Sequence, residues 1–304
     1  MGLAKITDFS TAADWPVERA AECCRLLESG QVLQLDPPPE LVPADDRDFL
    51  LGKRQSGFKG HKNLSYRPAT DEVRGTDPGD SAADNDRMRA TMRAFSGKAT
   101  ALVDKLLRPY AVRRTLDFAS YRPIEEKNRG LSLHKRNDLM HVDAFPTRPT
   151  RGGRILRVFL NINPSVDRVW ETADGFEPLA RKYATDAGLL TVAKNHGTLA
   201  ARVGRVVATK LGVKGADRSA YDRFMLRFHD YLKENDGFQR EYPKSRWAFG
   251  PGSVWMVYTD TVPHAVLSGQ YALEQTFVVP MNAMVVPEAA PLKVLERLSG
   301  MALV

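Results

Sequence analysis

The chain has little of what marks several large classes of protein. It holds only two cysteines, Cys23 and Cys24, adjacent on a predicted helix. Neighbours on a helix diverge, so neither a disulfide framework nor a cysteine metal clamp is available. No uncharged apolar run approaches the ~18 residues that a bilayer-spanning helix requires, and the N-terminus, MGLAKITDFSTAADW, lacks the basic and apolar regions of a secretory signal. The expectation is a cytosolic or peripheral protein. There is no internal repeat and no low-complexity tract, which argues against solenoids and fibrous arrays.

What is present fits a folded globular protein. Apolar residues make up 43% and charged ones 27% of 304 residues, close to the soluble average and far from disordered or collagen-like composition. The length suits two domains, or one β-barrel domain with helical additions. Forty-four Lys and Arg against thirty-seven Asp and Glu give a net charge of +7, which suits an anionic partner without naming it. The charge is focused: residues 122–157 hold nine basic and four acidic side chains.

The first third reads as helices joined by polar loops. Trp15 to Glu28 forms a helix after Asp14, Gln31 to Leu35 a short strand, and Ser81 to about Pro109 a long helix. In the last, Met88, Met92, Phe95, Ala99, Leu102, Val103 and Leu106 recur at three- and four-residue steps. Residues 52–80 are polar and aperiodic, which predicts a long loop over the site. After Arg113 the period becomes two in LDFASY, LMHVDAF and RILRVFLNIN, and again in RWAF, SVWMVYT, PHAVL and QYALEQTFVV, with turns at Gly250-Pro251-Gly252 and Ser268-Gly269. Between these sets lies a helical insert in which Tyr221, Phe224, Phe228 and Leu232 line one face. The pattern predicts a mainly β fold with flanking helices (α+β), in one domain. Residues 1–112 form a helical N-terminal region, 113–170 and 244–280 two β halves, 171–243 a helical insertion, and 281–304 a C-terminal tail with a helix.

Of six histidines only His141 has an aspartate two residues on, in His141-Val142-Asp143. Residues i and i+2 of an extended segment share a face, so one imidazole and one carboxylate can meet one ion. His264 enters a strand 123 residues later, after the turn and strand of Gly252 to Tyr258. Two imidazoles and one carboxylate on one side of a metal leave positions open, the arrangement of non-haem Fe(II) oxygenases. The bland alternative for each is a strand-capping or turn histidine. His134 reads as a loop or substrate-contact residue; His61, His196 and His229 read as surface or helix residues.

This arrangement resembles the Fe(II)/2-oxoglutarate dioxygenases of the double-stranded β-helix, or jelly-roll, fold. Longer strings resemble one family among them: RPIEEKNRGLSLHKRNDLMHVDAFPTRPTRGGRILRVFLNINP from Arg122, RVWE from Arg168 and PHAVLSGQYALEQTF from Pro263 are similar to the hydroxylases of 3-deoxy-D-manno-oct-2-ulosonic acid (Kdo). The likeness spans most of residues 114–280. It implies a jelly roll with N-terminal helices and a helical insertion, and a metal triad of His141, Asp143 and His264 holding Fe(II). It also implies hydroxylation at C3 of the outer Kdo sugar of Kdo2-lipid A, giving the Ko sugar of the lipopolysaccharide inner core. O2 and 2-oxoglutarate are consumed, and succinate and CO2 released. Since lipid A stays in the inner membrane, the resemblance implies a peripheral protein on the cytoplasmic face.

Most such enzymes grip the distal carboxylate of 2-oxoglutarate with an Arg or Lys on the strand after the second histidine, but Gln270 to Phe277 contains no basic residue. A buried carboxylate needs a cationic or multiply hydrogen-bonding partner. In RILRVFLNIN, Arg157, Phe159, Asn161 and Asn163 share one face, which makes Arg157 the first candidate and Arg154 the second, with Asn161 and Gln275 as further polar contacts. Arg122, Lys127, Arg129, Lys135, Arg136, Arg148 and Arg168 form the candidate acceptor-binding group, because guanidinium forks suit carboxylate and phosphate. Trp170 is either a sugar-stacking or a core residue. A 2-oxoglutarate oxygenase of another anionic glycan or metabolite, or a non-catalytic jelly-roll sugar-binding module, is the alternative. No nucleic-acid partner is expected, since the basic band lacks interleaved aromatics and the chain lacks known nucleic-acid modules.

Overall fold

The computed structural model describes residues 2–53, 63–127, 130–197 and 218–304. Among them the strands are β1 Leu3–Ile6, β2 Val32–Leu35, β3 Leu64–Arg67, β4 Glu72–Arg74, β5 Thr115–Arg122, β6 Arg154–Asn161, β7 Arg168–Ala173, β8 Lys244–Phe249, β9 Val254–Tyr258, β10 His264–Ser268 and β11 Ala272–Val279. An eight-stranded sheet in the order β1-β2-β9-β6-β11-β5-β3-β4 faces a three-stranded sheet in the order β10-β7-β8. All pairings are antiparallel except β1 with β2. The mainly β fold follows the alternation, and its form is the jelly roll that the family resemblance implies.

Strand phase divides the core. On β6, Leu156, Val158 and Leu160 face outward into a large cluster with α1 (Val17–Glu28) and α3 (Ala82–Leu106), whose Met88, Met92, Phe95, Ala99 and Val103 are buried as their spacing predicts. Phe159 faces the other sheet, where it meets Trp170, Phe249, Trp255, Val257 and Val266. Ser81 caps α3 by accepting a hydrogen bond from the Asp84 amide. Cys23 and Cys24 are fully buried, and burial pushes the Cys23 thiol up to about 11, so neither is reactive. Trp15 and Ala20 are also buried, which makes the first helix a core element. No helix among the described residues is long and apolar enough to cross a membrane.

The helical insertion comprises α5 (Phe176–Tyr183), α6 (Leu189–Gly197, which carries His196), α7 (Ala220–Glu234) and α8 (Asp236–Glu241). Tyr221, Phe224, Phe228 and Leu232 pack α7 into a third cluster, joined there by Met140 and Val142 from the HxD segment and by Leu295 of the C-terminal helix Pro291–Ser299. Asp222 closes a capping box with Ser219 and accepts from the Thr150 and Arg151 amides, at 2.8 and 3.1 Å. The insertion is therefore fixed to the loop that feeds β6.

Four expectations are corrected. The N-terminal region holds more strand than expected: the strand read at Gln31 to Leu35 is β2, and with β1, β3 and β4 it supplies half the strands of the large sheet. Residues 52–80 are not one loop, because β3 and β4 form a hairpin on β5; residues 54–62, with His61, lie outside the described residues. The insertion begins after β7, which runs to Ala173, so 171–173 belong to the sheet. LMHVDAF forms a single bridge, His141 with His264, because the Met140 backbone is taken up by the Gln239 side chain and the Asp143 amide turns to the Thr259 carbonyl.

Arg154 is a further correction. It sits on the outward, helix-facing side of β6 with Leu156 and Val158, fully buried, its Nε 3.1 Å from Asp260 Oδ2 and its guanidinium 4.2 Å above the Tyr258 ring. Its charge is spent on the core and not on a cosubstrate. Arg154→Ala would leave Asp260 buried without a counter-charge. Urea unfolding should show a loss of about 3–5 kcal/mol; a loss below 1 kcal/mol would contradict this placement.

Candidate metal centre

β10 begins at His264 directly after Pro263, and the HxD segment lies beside it. The two backbones are joined by His141 N–H to His264 O at 3.1 Å and His264 N–H to His141 O at 2.9 Å. This brings the imidazole rings to 4.7 Å between centroids. Each Nδ1 faces the carbonyl two residues earlier in the chain, Leu139 O at 2.7 Å and Val262 O at 2.9 Å. A carbonyl only accepts, so Nδ1 carries the proton in both rings and Nε2 keeps its lone pair. One potential ligand atom from each of His141, Asp143 and His264 lies within 4.8 Å of the others.

The electrostatics suit a divalent cation. Burial holds both imidazoles below the ordinary histidine range, so they are neutral. Burial alone would raise the Asp143 carboxyl, but the charge of Arg157 beside it holds it well below the usual carboxylate range. Asp143 Oδ2 is buried without a hydrogen bond, although Arg157 Nη2 stands 3.0 Å away. Two neutral imidazoles and one carboxylate, itself short of a hydrogen bond, make a donor set that fits Fe(II).

Beneath the triad lies a narrow pocket lined by Arg122, Asn137, Arg157, Phe159, Arg168, Trp170, Val266 and Glu274. Trp170 is buried and stacks on His264 at 5.2 Å, with Phe159 and Trp255 edge-on to it. It is a wall of the site and not a sugar platform. Glu274 links two cations, Arg157 Nη1 at 2.9 Å and Arg122 Nη2 at 2.8 Å, and despite burial they hold its carboxyl low. Arg168 is 1% exposed. Its Nη1 donates to Gly269 O at 3.0 Å, its nearest carboxylate is Glu126 at 3.6 Å, and its Nε has no partner. Burial pulls this guanidinium down to about 10, Glu126 opposing and Arg122 adding to the effect. Gly269 lets the chain pass this close: with φ +121°, a Cβ there would lie 2.9 Å from Arg168 Cα.

Of the residues singled out in the sequence, the structure gathers His141, Asp143, His264, Arg157, Arg122 and Arg168 at one site. Asn161 instead donates to the Val166 and Phe249 carbonyls, and Gln275 faces away and donates to Asp117 O and Thr276 O. Lys127 and Lys135 are exposed, Arg136 is tied to Asp138, and Arg148 to Asp117. Arg129 lies outside the described residues. His134 is exposed and pairs with Glu234 at 2.6 Å.

His229 was underrated. From α7 it packs edge-on against His141 at 4.9 Å and directs Nδ1 to the Val142 carbonyl at 2.8 Å. Its phase, four residues after Met225 and three before Leu232, was readable; its neighbour across the fold was not. Glu274 and Glu126 were also missed, although Glu274 alternates in phase with Ala272 and Thr276 of β11. Removing a group that orients a metal ligand typically costs 10- to 100-fold in affinity. His229→Ala should weaken Fe(II) binding about tenfold or more in a competitive chelator titration; unchanged affinity would make His229 a packing residue only.

Comparison with known proteins follows this geometry. No curated protein matches the sequence. Residues 11–302 match the family model for 3-deoxy-D-manno-oct-2-ulosonic acid (Kdo) hydroxylase. Among solved structures, the Kdo hydroxylase KdoO, a non-haem Fe(II) 2-oxoglutarate (α-ketoglutarate) dioxygenase, in complex with 2-oxoglutarate and Fe(III), superimposes with a TM-score of 0.84 at 31% identity, covering 100% of this chain and 98% of that one. Its cobalt(II) complex matches with the same score and identity over 99% and 97% of the two chains. Its apo form matches at 0.84 and 30%. The chain belongs to the Kdo hydroxylase family of non-haem Fe(II)/2-oxoglutarate-dependent dioxygenases.

Proposed function

We propose that this protein hydroxylates C3 of the outer Kdo sugar of Kdo2-lipid A, giving Ko, with Fe(II) held by His141, Asp143 and His264. The observation that carries the reading is the convergence of this triad above a pocket lined by Arg122, Arg157 and the buried Arg168, in a chain that matches the family over residues 11–302. When bound, iron with 2-oxoglutarate and O2 supplies the oxidising power for C–H hydroxylation, leaving succinate and CO2. The chain's own residues supply position and dryness: neutral imidazoles fixed through Nδ1, a carboxylate kept ionised by Arg157, and an aromatic wall of Phe159 and Trp170 that excludes water.

The cosubstrate grip is better assigned to Arg168, with Arg122 beside it, than to Arg157. Arg157 is already engaged by Asp143 and Glu274, and its task is to hold Asp143 towards the metal. Arg168 is the under-partnered cation of the pocket floor. On paired strands β10 and β7, His264 lies opposite Thr172 and Ser268 opposite Val169, next to Arg168. A distal carboxylate there would satisfy the open Nε.

The acceptor is polyanionic, and the basic residues around the mouth suit it. Approach from the cytoplasmic face of the inner membrane follows from where such a glycolipid is built, and a basic surface assists through anionic headgroups.

Two measurements test this. Kdo2-lipid A should stimulate 2-oxoglutarate decarboxylation by wild type while lipid A without Kdo does not; equal stimulation by both would point to another acceptor. Arg168→Met should raise the KM for 2-oxoglutarate at least tenfold, about 1.4 kcal/mol, with Fe(II) affinity kept. A rise in Arg157→Met but not in Arg168→Met would return the grip to Arg157.

A further inference from the structure

Beside the metal site lies a second cluster whose residues, Arg67, Phe118, Phe145 and Arg148, are not among those lining the pocket. On β5, Phe118, Ser120 and Arg122 share a face; Ser120 lies opposite Glu274, and Glu274 and Arg122 line the pocket. The same face continues onto β3, where Ser65 pairs with Ser120 and Arg67 follows two residues on. The Arg67 guanidinium lies 5.0 Å from the Phe118 ring centroid and the Arg148 guanidinium 4.0 Å from it. Arg148 also covers Phe145 at 4.5 Å, two residues after Asp143, and Arg157 lies 5.9 Å from that same ring. A continuous path of contacts therefore runs from Asp143 through Arg157, Phe145, Arg148 and Phe118 to Arg67.

The charges of this cluster do not cancel. Asp117 accepts from Arg148 Nε at 3.1 Å. Among the described residues no carboxylate lies within ion-pair distance of Arg67, and its Nε is buried without a hydrogen-bond partner. Within ion-pair distance the two guanidiniums thus share one carboxylate; Glu72, opposite Arg67 on β4, acts on it only at longer range. A guanidinium stacked on a ring is fixed in orientation while its in-plane N–H groups stay free for an oxyanion. Fixing the donors beforehand removes the ordering cost that flexible surface arginines carry.

We propose that Arg67 and Arg148, stacked on Phe118, form an anion shelf that takes an oxyanion of the acceptor, a carboxylate or a phosphate, and sets its sugar beside the metal ligands. The inference rests on the proposed acceptor class and deepens it. Arg67 belongs to no basic run in the sequence; it reaches the site only because the β3–β4 hairpin extends the large sheet.

The test uses Arg67→Met and Arg148→Met in the full chain, with Arg67→Lys as a conservative partner. Each Met variant should raise the acceptor KM about tenfold or more, while the KM for 2-oxoglutarate and the anaerobic Fe(II)/2-oxoglutarate charge-transfer band stay as in wild type. Arg67→Lys should recover part of the loss, since it keeps charge but not the fork. With Kdo2-lipid A stripped of its phosphates, a persisting defect identifies a Kdo carboxylate as the ligand, and a vanished defect identifies a phosphate. Unchanged acceptor KM in both Met variants, or an equal shift in the KM for 2-oxoglutarate, would overturn the shelf. Binding of Kdo2-lipid A micelles to the iron-free protein separates the two ideas. Retained binding that Arg67→Met weakens supports the shelf even if turnover fails, and binding indifferent to the variant removes it.

Discussion

The structure depends on one short backbone bridge, the reciprocal hydrogen bonds between His141 and His264. They join halves of the sheet that lie 123 residues apart, and they do so at the two residues that point into the site. Because the bridge uses both main-chain groups of each histidine, the imidazoles cannot shift without breaking the edge of the three-stranded sheet. The side chains are then oriented by the carbonyls two residues before them, and by His229 from the insertion. The helical insertion thus braces the metal site, since α7 carries both Phe228, which anchors it, and His229, which touches His141.

Below the bridge, charge is arranged in two layers. In the upper one Arg157 is ion-paired with both Asp143 and Glu274, and it keeps a buried carboxylate ionised where burial alone would protonate it. The lower one, around Arg168, is short of anionic partners. A buried cation held this way loses proton affinity and gains from any carboxylate that enters. The same asymmetry, a cation with two close carboxylates at the metal and one with a single distant carboxylate beyond it, separates residues that shape the site from those available to ligands. Arg154 shows the third outcome, a buried arginine whose partner Asp260 belongs to the core.

The triad was legible because period-two spacing fixes which residues share a face: His141 with Asp143, and Arg157 with Phe159. The same rule placed Leu156 and Val158 outward, and should have placed Arg154 with them, three residues from Arg157 and so on the opposite face. Register between strands was not legible. Nothing in the sequence says that Ser268 pairs with Val169, so Arg168 read as one more arginine of a basic band and not as the floor of the pocket. Apart from β2, read as a strand from Gln31 to Leu35, the N-terminal strands β1, β3 and β4 are three or four residues long, too short to show a period, and their membership of the large sheet comes from tertiary pairing. Arg67 went unnoticed for that reason.

The most direct measurement of the central claim is single-turnover incubation of the Fe(II)-loaded protein with 2-oxoglutarate, Kdo2-lipid A and isotopically heavy O2, followed by mass spectrometry of both products. The account predicts one heavy oxygen in succinate and one in the outer Kdo sugar, in equal amounts. Labelled succinate with an unlabelled, unchanged glycolipid would contradict it.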